Sequence, residues 1–285
     1  MSINSKLTAV TILEFVLAFG LVQNTQALQP SPGCQHSNPR LTRGRLLTLK
    51  VESQSRSYVL DSTGSADSKG SESRAPRPVV FVFHGSGANV NDSQALGFEG
   101  VARELRWNSF FVYPQGILVG TPPDIGWDLV CGSRDQSFFR LLLQDLANKQ
   151  CLDLDRVFVA GFSWGADMAH SLACCQAHSI RALAPLSGSD VFANPVSKCQ
   201  TPGVAALLQY GTDDSAYSQE DFKRATEFYV TRNHCSSLSE PVPNQHACLT
   251  GKSCDLPFMV CAIPDQIHEV KKEEVVRAIG FFQTF

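Results

Sequence analysis

Residues 156–174 read RVFVAGFSWGADMAHSLAC, and this stretch decides the fold. A β-branched, apolar run at 157–160 predicts a buried strand, and the alanine-rich segment at 166–174 predicts a helix soon after it. Between them, GFSWG at 161–165 is a G-x-S-x-G pattern, in which small residues flank a serine where a tight turn crowds the backbone. The helix start supplies backbone N–H groups and the positive end of a dipole. The stretch predicts a nucleophile, Ser163, held above a sheet.

Short apolar runs bounded by glycine or proline recur on both sides of this turn, with helical patterns between them. Such runs are typical of strands buried on both faces of a parallel sheet. The chain is therefore predicted to have an α/β fold with a mostly parallel central sheet, helices on both faces and reactive groups at the carboxyl ends of the strands. The predicted strands are 79–83, 109–113, 156–160, 182–186, 204–210 and 257–263, after β-like runs at 46–51 and 58–60, and the predicted helices include 138–147, 219–231 and 269–282.

A serine nucleophile needs a base, and one histidine has the required position. His268 follows the strand at 257–263 and precedes the last helix. The other histidines downstream of the serine lie on or just after its helix, or in a cysteine-bearing segment with no strand to aim them: His170, His178, His234 and His246. The sequence predicts His268 as the base.

The acid that orients this base has three candidates. The strand at 204–210 runs into Asp213 and Asp214, and Asp190 follows the preceding strand. Spacing after the strand favours Asp214, with Asp213 as a turn residue that bonds its own backbone. Asp213 and Asp190 remain open as alternatives.

Charge that develops on the substrate oxygen needs two hydrogen-bond donors. One expected donor is the backbone N–H of Trp164, directly after the nucleophile. The other is expected in the loop at 84–87, after the first predicted central strand, where the N–H of Ser86 is favoured. His84 is expected to brace this loop by hydrogen bonding, without a catalytic role.

Composition limits the classes of partner. The chain has 285 residues and a formal net charge of −3, and it offers no basic surface for nucleic acid. Residues 1–27 resemble a signal peptide, with Lys6, an apolar run at 7–22 and the small-x-small sequence Thr25-Gln26-Ala27. An uncleaved anchor or an amphipathic first helix is the alternative. Residues 28–285 are expected to form a single domain that does not enter a membrane after cleavage.

Ten cysteines follow this segment, and an even number in an exported chain predicts disulfide bonds. The alternative is a zinc site, but the chain contains neither C-x-x-C nor H-E-x-x-H. No metal and no other cofactor are expected.

Together these motifs resemble those of the secreted carbohydrate esterases, the group that includes feruloyl esterases, acetyl xylan esterases and polyhydroxybutyrate depolymerases. The resemblance implies the α/β-hydrolase fold, and it is a second reason to choose Asp214 as the acid that orients His268. It also implies that Trp127 lies in a substrate-side loop, and that a Cys131–Cys174 disulfide ties this loop down beside the nucleophile. The similarity covers about residues 34–268, and its motifs are FHG at 83–85, VYPQG at 112–116, GWD at 126–128, LDRV at 154–157, GFSWG at 161–165 and GTDD at 211–214.

Two departures from this group concern the substrate. Members usually carry histidine where Tyr210 stands, and they read Gly-Gly-His followed by Trp-Pro where residues 266–270 read QIHEV. The aromatic wall after the histidine is therefore missing. This favours a hydrophilic leaving group over a polyester.

The sequence thus predicts a secreted serine hydrolase that cleaves feruloyl or acetyl esters of plant polysaccharides through an acyl-enzyme on a Ser163, His268, Asp214 triad. The alternatives are a polyhydroxybutyrate depolymerase, a peptidase and a non-catalytic binding protein that retains the fold. Packing alone does not require a serine, an acid and a histidine after three separate strands, so the triad weighs against the binding protein. A panel of substrates discriminates the enzymes.

Overall fold

A computed structural model describes residues 29–35, 44–64, 75–191, 193–194, 196–239 and 248–285. The expected signal peptide, residues 1–27, lies outside them. The strands of the described chain are β1 (Leu46–Val51), β2 (Gln54–Ser62), β3 (Arg77–Phe83), β4 (Phe110–Pro114), β5 (Ile117–Val119), β6 (Asp124–Gly126), β7 (Leu152–Phe162), β8 (Ala182–Leu186), β9 (Ala205–Gly211), β10 (Ser237–Leu238), β11 (Cys248–Lys252) and β12 (Phe258–Ile263). Its helices are α1 (Val90–Ala95), α2 (Phe98–Glu104), α3 (Arg134–Lys149), α4 (Trp164–Cys175), α5 (Gln219–Arg232) and α6 (Lys272–Phe282), with 3₁₀ turns at Pro32–Gln35, Ala177–Ser179 and Val196–Lys198.

One large sheet organises the described residues, and its centre is parallel. The order β4-β3-β7-β8-β9-β12 contains only parallel neighbours, and these are the six strands predicted from apolar runs. Antiparallel strands extend both ends, with β2 and β1 beyond β4 and β11 and β10 beyond β12. The strands β5 and β6 form a separate hairpin that the sequence pattern did not predict.

Side chains of the central strands pack on both faces of the sheet. All seven residues of β3 are buried, with Val79 and Phe81 in one core cluster and Val80 and Val82 in the other. The first cluster is covered by α3, α4 and α5, and the second by α1, α2 and α6. Burial on both faces explains why these strands read as continuous apolar runs and not as alternating ones. The predicted α/β architecture is confirmed.

The last helix begins later than its pattern predicts, at Lys272 instead of residue 269. The Glu274 carboxylate accepts hydrogen bonds of 2.8 Å from the Lys271 backbone N–H and 2.8 Å from the Gln266 side-chain amide. A carboxylate that reaches back to the cap residue fixes the start of a helix. This cap leaves His268 in a loop between β12 and α6.

A buried ion pair joins β2 to α3. Arg56 Nη2 lies 2.6 Å from Asp135 Oδ1, and the two side chains are 1% and 0% exposed. Asp135 also accepts a 2.7 Å bond from the Asp128 backbone N–H, and Arg56 donates at 3.1 Å to the Gln115 carbonyl. The pair therefore holds two loops that lead toward the carboxyl edge of the sheet.

We expect Asp135→Ala to lower the free energy of unfolding by about 3–5 kcal/mol, because it leaves the Arg56 charge buried without its partner. The matched control is Asp145→Ala on the same helix. Asp145 bonds Lys149 at 2.8 Å on the surface, so its loss should cost at most about 1 kcal/mol. Urea denaturation measures both changes. Equal losses in the two variants would contradict the importance of the buried pair.

Candidate active site

The turn after β7 places Ser163 in a strained conformation above the sheet. Ser163 has φ 56° and ψ −126°, a backbone region that residues other than glycine rarely adopt. A Cβ on Gly161 would lie 2.3 Å from the Gly165 carbonyl oxygen, and a Cβ on Gly165 would lie 2.1 Å from that of Phe83. Both positions therefore require glycine. The Ser163 N–H is held by the Leu186 carbonyl of β8 at 3.0 Å.

The structure brings His268 and Asp214 together. His268 Nδ1 lies 2.8 Å from Asp214 Oδ2, and the Asp214 side chain is fully buried. The other carboxylate oxygen of Asp214 accepts from the backbone N–H groups of Ala216 at 2.8 Å and Tyr217 at 3.2 Å. These bonds fix the direction of the carboxylate. With Nδ1 bonded to Asp214, the free imidazole nitrogen is Nε2, the atom that a base needs.

The two other candidate acids lie elsewhere. Asp213 is exposed on the turn after β9, where its N–H donates to the Gln266 carbonyl at 3.0 Å and its carboxylate accepts from Thr212. Asp190 is also exposed, and its N–H donates to Asp167 Oδ1 at 2.9 Å. Of the three candidates, Asp214 is the one that the described structure bonds to His268.

Aromatic rings and a tyrosine hydroxyl surround the base and the nucleophile. The His268 ring lies 4.7 Å from the Phe162 ring and 5.8 Å from the Tyr217 ring, measured between centroids. Within the described residues no hydrogen bond joins Ser163 to His268. The Ser163 hydroxyl opposes the rise that burial causes in the pKa of Tyr217, as a hydrogen-bond donor does. Bonds between nucleophile and base are often long before substrate binds, so this arrangement is compatible with catalysis.

The loop after β3 lies directly against the nucleophile. A Cβ on Gly85 would be 3.3 Å from the Cβ of Ser163, so the loop backbone packs on the serine. The Ser86 hydroxyl donates a short hydrogen bond to Asp124 of the β5–β6 hairpin, and the Gly87 N–H donates to the Ile125 carbonyl at 2.8 Å. The hairpin thus holds the loop in place. Sequence reasoning missed Asp124, because nothing in its local pattern indicates a contact 38 residues away.

The expected bracing role of His84 is confirmed. Its Nε2 accepts from the Gly116 N–H at 2.9 Å, so Nδ1 carries the proton and donates to the Gly85 carbonyl at 2.8 Å. Burial lowers the pKa of His84, and the bond to the Gly85 carbonyl opposes this shift. The ring is therefore held neutral as a link between two loops, because protonation would set an N–H against the Gly116 donor.

Trp164 and Trp127 have different surroundings. Trp164 is the first residue of α4, where a backbone N–H has no acceptor within its own helix, so this donor is available beside Ser163. Trp127 is only 1% exposed, packs edge-on against Phe83 at 5.0 Å and donates from Nε1 to the His84 carbonyl at 2.8 Å. The Trp127 side chain therefore supports the loop of Ser86 from beneath, and the prediction that Trp127 lies in a substrate-side loop stays a prediction. A buried indole N–H needs an acceptor, and here the acceptor is the His84 carbonyl at the start of the loop that carries Ser86.

The predicted Cys131–Cys174 disulfide is wrong. All ten cysteines lie in the described residues and form five disulfides, in which Cys131 pairs with Cys175 and Cys174 with Cys199. Successive side chains on a helix point about 100° apart, and on α4 the side chain of Cys175 faces the loop that carries Cys131. The sulfurs of Cys131, Cys174 and Cys175 lie within 4.8 Å of one another, but as disulfides they offer no thiolates to a metal. The remaining pairs are Cys34–Cys151, Cys235–Cys254 and Cys248–Cys261.

This pairing predicts which thiol each single substitution sets free. Cys131→Ala should leave Cys175 free, and Cys199→Ala should leave Cys174 free, because each loses its only partner. Alkylation without reduction, followed by tandem mass spectrometry that cleaves the backbone between the two neighbouring cysteines, locates the label. Labels at the opposite members of the pair would contradict the pairing.

The comparisons with known proteins agree with this geometry. No protein-family model matches the chain. Feruloyl esterase D of Neurospora crassa is 27% identical over 228 residues, 76% of this chain and 72% of that protein. Feruloyl esterase C of Emericella nidulans is 27% identical over 261 residues, 89% of this chain and 86% of that protein. Among solved structures, an acetyl xylan esterase from Aspergillus awamori superposes with a TM-score of 0.64 at 11% identity, covering 85% of this chain and all of that one.

The chain is an esterase with the α/β-hydrolase fold. The predicted family resemblance and enzyme class of this esterase are thereby confirmed. The alternative of a non-catalytic binding protein is not retained. In the described part of the esterase, no helix combines the length and the apolar character that a membrane span needs.

Proposed function

We propose that this esterase hydrolyses feruloyl or acetyl esters on polysaccharide through a covalent intermediate on Ser163. The observation that carries the proposal is the 2.8 Å bond between His268 Nδ1 and the buried Asp214 carboxylate, beside a serine in a strained turn. The substrate class comes from the relatives, which are named feruloyl esterases. No cofactor takes part in this reaction.

In the proposed mechanism the Ser163 oxygen attacks the ester carbonyl carbon while its proton passes to His268 Nε2. The carbonyl π bond opens, and its electrons move to the oxygen. When the tetrahedral intermediate collapses, the bond to the alcohol oxygen breaks and His268 gives its proton to that oxygen. A water molecule then attacks the acyl-serine in the same way, with His268 as base, and releases the carboxylic acid.

The negative charge of each intermediate would be stabilised by two backbone donors, the N–H groups of Trp164 and Ser86. Trp164 stands at the start of α4, where the positive end of the helix dipole also favours an anion. Three hydrogen bonds hold the loop of Ser86. The His84 ring donates to the next carbonyl, Trp127 donates to the His84 carbonyl, and the Ser86 hydroxyl donates to Asp124. Donors fixed before reaction cost no reorganisation when charge develops, and each is worth about 10²- to 10³-fold in rate.

We further propose that the protein is secreted, that residues 1–27 are a signal peptide removed on export, and that residues 28–285 form one catalytic domain. The five disulfides support this, because such bonds persist in oxidising compartments. N-terminal sequencing of the protein recovered from culture medium tests it. A first residue before 28 would contradict cleavage at Ala27.

A substrate panel tests the proposed function, with methyl ferulate, acetylated xylan, 4-nitrophenyl acetate and a polyhydroxybutyrate film. We expect hydrolysis of the soluble and sugar esters and little erosion of the film. After His268, Glu269 and Lys271 are charged and pair at 3.1 Å, and Val270 between them packs against the core. Losing even ~100 Å² of apolar contact with a polyester would forfeit about 2.5 kcal/mol, more than tenfold in binding. Clearing of the film without activity on the ferulate or the xylan would contradict the proposal.

A further inference from the structure

Tyr217 lies against Asp214 and His268 of the proposed triad, and the mechanism above does not use it. Its backbone N–H donates to Asp214 at 3.2 Å, and its ring lies 5.8 Å from that of His268. Its hydroxyl donates to Asp167 Oδ2 at 2.5 Å, and Asp167 lies on the first turn of α4, where its own N–H donates to the Ser163 carbonyl at 3.1 Å. The tyrosine thus links the base and its acid to the helix that follows the nucleophile.

Asp167 determines which way the tyrosine hydroxyl points. This carboxylate is 5% exposed, and its other oxygen accepts from the Asp190 N–H at 2.9 Å, so its position is fixed on both sides. Burial raises the pKa of Asp167 to about 6, and above that pH the ionised carboxylate can only accept. The phenolic proton therefore stays on the Asp167 side, and the phenolic oxygen can only accept a hydrogen bond from any further partner.

Acylation of Ser163 changes which hydrogen-bond donors are available to the phenolic oxygen of Tyr217. In the resting enzyme the Ser163 hydroxyl opposes the rise that burial causes in the pKa of Tyr217, as a hydrogen-bond donor does. Once Ser163 has lost its proton to His268 and formed an ester, its oxygen has no hydrogen to donate. The partly buried phenolic oxygen of Tyr217 is then left without a donor, which costs free energy unless the substrate supplies one. His268 protonates the departing alcohol, so the alcohol part of the substrate lies beside Tyr217.

We propose that Tyr217 is a specificity-determining residue that accepts a hydrogen bond from a hydroxyl next to the ester oxygen on the alcohol part of the substrate. Sugars carry such a neighbouring hydroxyl, and simple alkyl esters and polyesters do not. The inference rests on the proposed function and narrows its substrate class to esters of polyhydroxylated alcohols. An unsatisfied, partly buried acceptor predicts a preference of roughly fivefold to hundredfold in kcat/KM.

The test compares 2-hydroxyethyl ferulate with 2-fluoroethyl ferulate at pH 8, above the pKa of Asp167. Fluorine is close to a hydroxyl in size and withdraws electrons more strongly, but it has no proton to donate. We expect the wild-type enzyme to prefer the hydroxyethyl ester at least fivefold in kcat/KM, although the fluoroethyl ester has the better leaving group. In Tyr217→Phe the ratio should fall to one or less, because only the difference in leaving group remains.

The matched control is Tyr210→Phe, which removes a hydroxyl from a neighbouring tyrosine stacked on Phe222 at 4.1 Å, and it should keep the wild-type ratio. A wild-type ratio of one or less overturns the inference without any variant, so a Tyr217→Phe protein that does not fold leaves it testable. An unchanged ratio in a folded Tyr217→Phe protein also overturns it. If the wild type hydrolyses neither ferulate, the same comparison is made with 2-hydroxyethyl and 2-fluoroethyl acetate. Hydrolysis of none of these four esters would instead remove the proposed function, and the inference with it.

Discussion

Ser163→Ala should lower kcat by about 10⁴- to 10⁶-fold while the free energy of unfolding changes by less than about 1 kcal/mol. The rate falls because no other group can form the acyl-enzyme. The fold should persist because alanine keeps the Cβ, and the turn is built by the small residues at Gly161 and Gly165, whose Cβ atoms would clash with carbonyl oxygens. Initial rates on methyl ferulate and urea denaturation measure the two effects.

The control for this variant is Ser215→Ala, at an exposed serine next to Asp214. It should retain at least about half of the wild-type kcat, since surface substitutions away from special features usually have small effects. If Ser163→Ala keeps more than a hundredth of the activity, the covalent mechanism on Ser163 is wrong.

Asp214→Asn should cost about 10⁴-fold in kcat. Asp214 accepts two backbone N–H bonds on one oxygen and the His268 proton on the other. An asparagine that keeps its oxygen on the backbone donors turns its NH₂ group toward Nδ1. His268 then carries its proton on Nε2, where it can no longer receive one from Ser163.

The neighbouring aspartates are the matched controls for this substitution. Asp213→Asn and Asp190→Asn should each cost less than about tenfold, because both carboxylates are exposed and neither bonds His268 in the described structure. The measurement is kcat for the three variants on one soluble ester. A larger loss in Asp213→Asn or Asp190→Asn than in Asp214→Asn would mean that the acid has been assigned to the wrong residue.

The sequence predicts those parts of the fold that depend on local sterics and periodicity. The six central strands could be located because strands buried on both faces are apolar along their whole length. Gly161, Ser163 and Gly165 could be recognised as one turn with a nucleophile, because a tight turn crowds the backbone at all three positions. Asp214 and His268 could be assigned to the same edge of the sheet, because each follows the carboxyl end of a parallel strand.

The features that the sequence did not predict depend on packing between distant segments. The choice between Cys174 and Cys175 follows from the rotation of α4 against the loop of Cys131, which no local pattern specifies. Trp127 is buried because its indole N–H meets the His84 carbonyl, 43 residues away. Tyr217 and Asp167 are 50 residues apart, and each alone is an ordinary polar residue.

The most direct measurement of the central claim is active-site labelling with a serine-directed alkyl fluorophosphonate. The enzyme is inactivated with a stoichiometric amount of the reagent, digested and mapped by mass spectrometry. We expect one adduct, on Ser163, with loss of activity in proportion to labelling and no labelling of His268→Ala, whose serine has lost its base. An adduct on another serine, or full activity in enzyme labelled at Ser163, would contradict it.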